Sequence, residues 1–263
     1  MNSLLGILIG FGMVIVSFII EGGKIGSLFL LPPAMIIFGG TFGAVIGSFP
    51  MDILKRTPKI LKVVFSNKNS ELPKLIAYFK DVSTKTRRNG LLSLESEISG
   101  DSAIDPFIKK GLQMVVDGLE PQSVRTTLEL QTEMMSERHH EGASIFEAAG
   151  GYSPTLGVTG TVMGMVHILG NLSGDSSALA PLIAGAFIAT LYGIAFANLV
   201  FLPMASKLKA IDKSEVKEKM LIIEAVTLIQ EGVNPNVISE KLKSFLNNEE
   251  LKSYEDMDKA VEV

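Results

Sequence analysis

There is no cysteine in this chain, which excludes both a disulfide framework and thiolate chemistry. It has no Walker-type phosphate loop, no G-x-S-x-G motif and no serine–histidine pairing suited to catalysis. The H-E-x-x-H spacing is missing as well. His139 and His140 do sit between Glu137 and Glu141, but a solvated helix face accounts for that group better than a metal site. Strand-like alternation, a repeat of fixed period and low-complexity tracts are also absent. These absences describe a helical protein that is not an enzyme.

The most informative absence is charge. Of 263 residues, 47% are hydrophobic and 20% charged, so the charges are segregated from the apolar runs. Four runs, residues 1–20, 27–49, 148–172 and 178–205, contain no Asp, Glu, Lys or Arg. A bilayer-crossing helix needs about 20 apolar residues, and four such runs do not fit a soluble core in a chain of this size. The first run lacks the basic start and the A-x-A site of a cleavable signal, and Glu21-Gly22-Gly23-Lys24 reads as a short external hairpin. The fold class is therefore all-α integral membrane, with four transmembrane helices in two hairpins. A helical cytoplasmic domain is formed by the long loop and the C-terminal tail.

The segments follow in order: a first hairpin at 1–49, a cytoplasmic helical domain at 50–147, and a second hairpin at 148–205. Cytoplasmic C-terminal helices occupy 206–246, and 247–263 reads as a disordered acidic tail. Orientation comes from the cations. Residues 50–147 carry 14 of the 24 Lys and Arg, the chain after Pro203 carries 9, and the outer hairpin carries only Lys24. The excess of positive charge belongs inside, which places both polar segments and both termini in the cytoplasm. A net charge of −4, spread over cytoplasmic helices, argues against a nucleic-acid partner.

Local signals divide the polar segments. Residues 51–65 are expected to continue inward from the second span. Ser70 is a candidate N-cap, and Asn89-Gly90 a stop, for the next helix. LLSLESEIS forms a short helix, and Asp105-Pro106 opens another. Pro121 starts a long helix that feeds directly into the third span. After Pro203 a long amphipathic helix runs until Asn234-Pro235 breaks it.

Within the spans, small residues recur at helical spacing: Gly6 and Gly10; Gly39, Gly43 and Gly47; Ser153, Gly157, Gly160 and Gly164; Gly185, Ala189, Gly193 and Ala197. Such stripes mark faces of close helix approach in lipid. The third span, GGYSPTLGVTGTVMGMVHI, holds five glycines and three threonines and no charge. Pro154 and Pro203 lie near the inner ends of the last two spans. They read either as a helix start and a helix stop or as a hinge at the inner leaflet.

Thr161 and Thr190 sit mid-span at similar depth, and Thr155 and Thr159 lie one turn apart. Their hydroxyls either bond back to their own helices or line a hydrated path. His167, near the outer end, fits interfacial packing better than proton relay, and Tyr192 and Asn198 fit packing. An ion path through lipid normally contains an ionisable group, and these spans have none. A conducting assembly must therefore take its carboxylate from another chain. The small, hydroxyl-bearing third span is the wall against which that partner helix sits.

In RRNGLLSLESE, Arg87 and Arg88 end one helix and Glu95 and Glu97 follow closely. These charges either pair among themselves, worth about 0–1 kcal/mol when exposed, or form a charged tip that tunes encounter with another protein.

RRNGLLSLE, YSPTLGVTGTVMGM and GAFIATLYGIAFANLVFLPMA, within two pairs of spans flanking a charged segment, resemble the MotA/PomA family of flagellar stator subunits. The resemblance runs from Met1 to about Leu246. It implies a multi-pass protein of the bacterial inner membrane, with five copies surrounding two MotB-type subunits. These supply the pore aspartate and the peptidoglycan anchor. It further implies transport of H+, or of Na+ as in the PomA branch, and torque on the rotor protein FliG. By position, Arg87 and Glu95 match rotor-binding residues, Pro154 and Pro203 match coupling prolines, and Thr161 and Thr190 match residues facing the ion-binding aspartate. Thr155, on the same span, joins the ion pathway. Thr161 stands where some proton-driven members carry alanine. An energiser of the ExbB/TolQ type, which typically has three spans, and a secondary transporter are the competing classes.

Overall fold

The computed structural model describes residues 2–66, 71–100, 104–170 and 179–261. Among these the chain is helical and contains no strand. It divides into two compact units, Met1–Asn67 with Arg138–Ile211, and Lys68–Glu137 with Asp212–Val263.

The first unit begins with α1 (Asn2–Ile20). A turn follows in which Gly22 takes a φ of 84°, a value that costs glycine little. Helix α2 (Leu31–Ser48) carries Pro32 and Pro33 in its first turn, where a missing N–H is harmless. It widens into a π segment over Met35–Gly39. Residues 51–65 do not continue α2 as expected. Phe49 is extended (φ −123°, ψ 144°), because the residue before a proline is pushed out of the α region and Pro50 follows. A single turn at Met51–Leu54 and then α3 (Thr57–Phe65) replace the continuation.

Two long helices are shared between the units. Helix α7 (Pro121–Gly170) is 50 residues long and passes through Pro154 without a break. Helix α8 (Leu179–Gln230) passes through Pro203 after a π segment at Ala197–Phe201. Both prolines are thus inside helices, and the helix-start and helix-stop readings are excluded. At the π turn the Leu202 N–H reaches back to the Ala197 carbonyl. This one-residue slip lies directly beside the donor that Pro203 lacks.

Three of the described helical stretches are long and apolar enough to cross a membrane: Ser3–Ile20, Leu31–Ser48 and Leu179–Gln230. The expected third span is not among them, since its glycines, its threonines and His167 dilute its apolar content. Val45, Val64, Phe146, Ala149 and Ala205 belong to the buried cluster of this unit, while Leu8, Phe42, Val166 and Phe187 point outward and are more than 60% exposed. A large apolar surface of this kind suits helices solvated by hydrocarbon or by other helices.

The second unit packs α4 (Leu72–Asn89), α5 (Leu94–Gly100), α6 (Pro106–Val116), α9 (Pro235–Lys243) and α10 (Asn248–Val261) with the parts of α7 and α8 that belong to it. Phe79, Leu94, Leu112, Leu128, Leu221, Ile222 and Ile238 are fully buried there. Helix α4 stops at Gly90, whose φ is 83°. Asp105 caps α6 by accepting the Phe107 N–H at 2.7 Å and also accepts from Lys219 at 2.8 Å. Asn234 caps α9, accepting the Asn236 N–H at 3.0 Å. The Ser70 cap and the outer loop at 171–177 lie outside the described residues.

The expected disordered tail is corrected: residues 248–261 form helix α10. Asn247 accepts from the N–H groups of Glu249 and Glu250, both at 2.9 Å. Glu250 in turn accepts the Asn247 N–H at 2.8 Å, a reciprocal capping box. Tyr254 is then buried, with its hydroxyl 2.8 Å from Ser239 Oγ, and Lys80 pairs with Asp258 at 2.7 Å.

Candidate functional site

The site is built where α7 and α8 cross within the first unit. Small residues bring the backbones together there. A Cβ at Gly157 would stand 3.0 Å from the Ala189 carbonyl oxygen and 3.1 Å from Thr190 Cα. One at Gly193 would lie 2.5 Å from the Ser153 carbonyl oxygen and 3.2 Å from both Gly157 Cα and Pro154 Cα. Gly160 faces Ala189 and Gly164 faces Ala186 at similar closeness. Gly157 and Gly160 of one stripe thus pack on Ala189 and Gly193 of the other, whereas a Cβ at Gly185 would meet only Leu30. The stripe of α2 behaves differently: a Cβ at Gly39, Gly43 or Gly47 would meet nothing within 4 Å.

This closeness brings Thr161 and Thr190 together. Their hydroxyls are hydrogen-bonded to each other. Thr161 Oγ1 also lies 3.1 Å from the carbonyl oxygens of Gly157 and of Ala186, and Thr190 Oγ1 lies 3.4 Å from the Gly157 carbonyl oxygen. Each hydroxyl has one proton and two lone pairs, and a carbonyl only accepts. Two protons thus serve four oxygens. The cluster has spare lone pairs, which suits a cation or an additional proton donor.

Beside Pro154, Ser153 is fully buried and donates to the Gly193 carbonyl at 3.0 Å. This bond ties the two helices beside Pro154. It escaped the sequence reading, which placed Ser153 only in a small-residue stripe. The Tyr192 hydroxyl donates to the Leu28 carbonyl, fixing α8 to the turn before α2. The position of a tyrosine alone gave no signal for that contact.

Thr155 is not part of the oxygen cluster. It is exposed and donates to the Tyr152 carbonyl at 2.8 Å, and Thr159 donates to the Thr155 carbonyl at 3.0 Å. Both follow the back-bonding pattern and mark an open face of α7 that includes Val158 and Val162. Asn198 Nδ2 donates to its own helix at the Ile194 carbonyl, 2.9 Å away. His167 is in the last turn of α7 and lines a cavity of about 410 Å³ with Leu30, Pro33, Met163 and Pro181.

The second unit holds the charged corner. Arg87 and Arg88 are exposed at the end of α4, and among the described residues neither has a salt-bridge partner. Glu97 is taken by Lys85 at 2.7 Å, which also meets Asp81 at 2.9 Å. Hydrogen bonds that its ammonium donates to Glu97 and then to Asp81 hold Lys85 well above the ordinary lysine range. Glu95 is exposed in the first turn of α5. Between these charges the chain turns on Gly90, and Ser93 Oγ donates to the Gly90 carbonyl at 2.7 Å.

Two family models match the sequence, the motility protein A N-terminal model over residues 4–90 and the MotA/TolQ/ExbB proton channel family over residues 99–220. Motility protein A of Borreliella burgdorferi is 38% identical over 244 residues, which is 93% of each chain. Among solved structures, the flagellar MotAB stator complex from Bacillus subtilis matches with a TM-score of 0.88 at 37% identity, over 95% of this chain and 98% of that one. The C. jejuni MotAB structure matches with a TM-score of 0.88 at 34% identity, over 94% and 96%.

Proposed function

The chain belongs to the motility protein A family of flagellar stator subunits, and we propose that it forms the ion-lining wall of a stator and passes the resulting movement to the rotor. Its arrangement in the bacterial inner membrane is four spans in two hairpins. The third span is the uncharged part of α7 from residue 148, and both termini are cytoplasmic. The concentration of Lys and Arg in residues 50–147 and after Pro203 supports that orientation. Five copies surround two MotB-type subunits, whose single helices lie against the open face of α7 marked by Thr155 and Thr159.

The observation that carries this reading is the pairing of an uncharged span with an oxygen cluster. No Asp, Glu, Lys or Arg occurs within the four runs, yet Thr161, Thr190 and two carbonyls converge at mid-span. The aspartate of the partner helix supplies the charge. This chain supplies donors and acceptors that lower the cost of holding that charge in lipid. The ion is a proton. Sodium is a second reading, favoured by the surplus of lone pairs, which matches the oxygen ligands a hard cation prefers. Pro154 and Pro203 let the helices yield as the ion site changes occupancy. Arg87 and Glu95 carry the movement to FliG.

Ion flux through vesicles containing the full chain, with and without a MotB-type partner, tests the proposal. Flux is expected only with the partner, and specific, saturable flux from the chain alone overturns it. Motility with and without sodium decides between the two ions.

A further inference from the structure

We propose that the rotor contact has an apolar anchor, Leu92, with Leu91 beside it, set inside the charged rim formed by Arg87, Arg88 and Glu95. The inference rests on the rotor reading of that corner. Four apolar side chains follow Gly90 within nine residues, and they divide sharply. Leu94 and Ile98 are buried in the core of the second unit, while Leu91 is 39% and Leu92 70% exposed. Among the described residues, Leu92 is the most exposed large apolar side chain of its unit.

The projection of Leu92 is fixed by the structure around it. Gly90, at a φ of 83°, makes the turn, the Ser93 hydroxyl closes it, and the Lys85–Glu97 ion pair links α5 to α4. An apolar side chain held in one place loses little freedom on docking. The flanking charges cannot provide the grip themselves, because exposed ion pairs are weak and screened by salt. They set encounter and register. In protein interfaces the strength comes from a few side chains buried at the centre of a polar rim. The corner carries the same elements in chain order, with exposed Leu92 between Arg87 and Arg88 at the end of α4 and Glu95 in the first turn of α5. The partner it fits is a rotor protein face with an apolar depression, bordered by carboxylates where Arg87 and Arg88 land.

The test uses the full stator complex with Leu92→Ala, Leu92→Met and Arg87→Glu. Binding to purified FliG is measured at low and high salt, alongside the speed increment per incorporated stator and the yield of assembled complex. Leu92→Ala is expected to weaken FliG binding by about tenfold or more at both salt levels, with normal assembly, and Leu92→Met to restore most of it. The effect of Arg87→Glu is expected to shrink at high salt. If Leu92→Ala binds FliG normally while Arg87→Glu does not, the anchor is overturned and the charged contact stands. If Leu92→Ala lowers the yield of assembled complex, Leu92 packs between copies of this chain and the anchor is equally overturned. If Arg87→Glu also has no effect on binding or torque, the rotor reading itself fails.

Discussion

The hydroxyls of Thr161 and Thr190 bond to each other across the crossing of α7 and α8. Neither threonine spends its hydroxyl only on its own helix, as Thr155 and Thr159 do. The pair is positioned by the glycine contact next to it, because a side chain at Gly157 would drive Thr190 away.

Replacing either hydroxyl by a methyl group isolates its chemistry. Thr161→Val and Thr190→Val keep the volume and remove about one net hydrogen bond, roughly 0.5–1.5 kcal/mol. The complex is expected to assemble at normal levels, while the ion concentration giving half-maximal swimming speed shifts by up to about tenfold. Unchanged speed–concentration curves in both variants would show that the threonines only pack.

Gly193→Ala tests the backbone contact. The new methyl would stand 2.5 Å from the Ser153 carbonyl oxygen, so the helices must separate, at a cost of about 1–3 kcal/mol for overpacking. Gly43→Ala has open space within this chain and serves as the control. Thermal unfolding of the isolated subunit should show a lower midpoint for Gly193→Ala and none for Gly43→Ala. Equal midpoints would mean that the crossing is looser than its geometry.

The Lys85 pair fixes a pH dependence. Its ammonium is held above the ordinary lysine value by Glu97 and Asp81, so the stabilisation is fully present below about pH 10.4. It is lost only as the pH rises through the raised value. At neutral pH, Lys85→Met should therefore cost little global stability, at most about 1 kcal/mol, because the side chain is half-exposed and screened. Its expected effect is local: amide exchange over residues 91–98 should quicken. Unaltered exchange there would show that the ion pair does not hold the corner.

Helix α10 predicts the outcome of truncation. Ending the chain after Leu246 removes Tyr254, which is 1% exposed, together with the Lys80–Asp258 pair. Tyr254→Ala alone should cost roughly 3–5 kcal/mol, as for other large aromatic truncations. Both changes should speed limited proteolysis of the second unit. Resistance equal to that of the intact chain would make α10 dispensable.

Much of this was legible in the residues, for reasons that can be named. Gly90 as a stop, Asp105-Pro106 as a helix opening and Asn234-Pro235 as a break are local signals that packing did not override. Gly157, Gly160 and Gly164 declared a close face through spacing alone. The acidic tail was misread because its composition outweighed its pattern, although Asn247 and Glu250 were already spaced as a capping box. Pro50 announced the break at Phe49, but the apolarity of the following segment hid it. Lys85, and not Arg87 or Arg88, takes Glu97, and Thr161 meets Thr190. Both contacts depend on how helices dock, which no single-helix period encodes. The π segments have no residue signature beyond the neighbouring Pro203.

The contact between Gly157 and Gly193 constrains how force passes through the membrane. With no side chain between the two backbones, there is nothing to repack when the helices are pushed along each other. A slip of one turn, about 5.4 Å, would bring Ala189 or Ala197 to the place of Gly193, and its methyl would strike the Ser153 carbonyl. Sliding is therefore blocked. The backbone ladder is incomplete next to this contact, at Pro154 in α7 and at the π turn ahead of Pro203 in α8, so the two helices meet as a rigid seam beside two interrupted stretches.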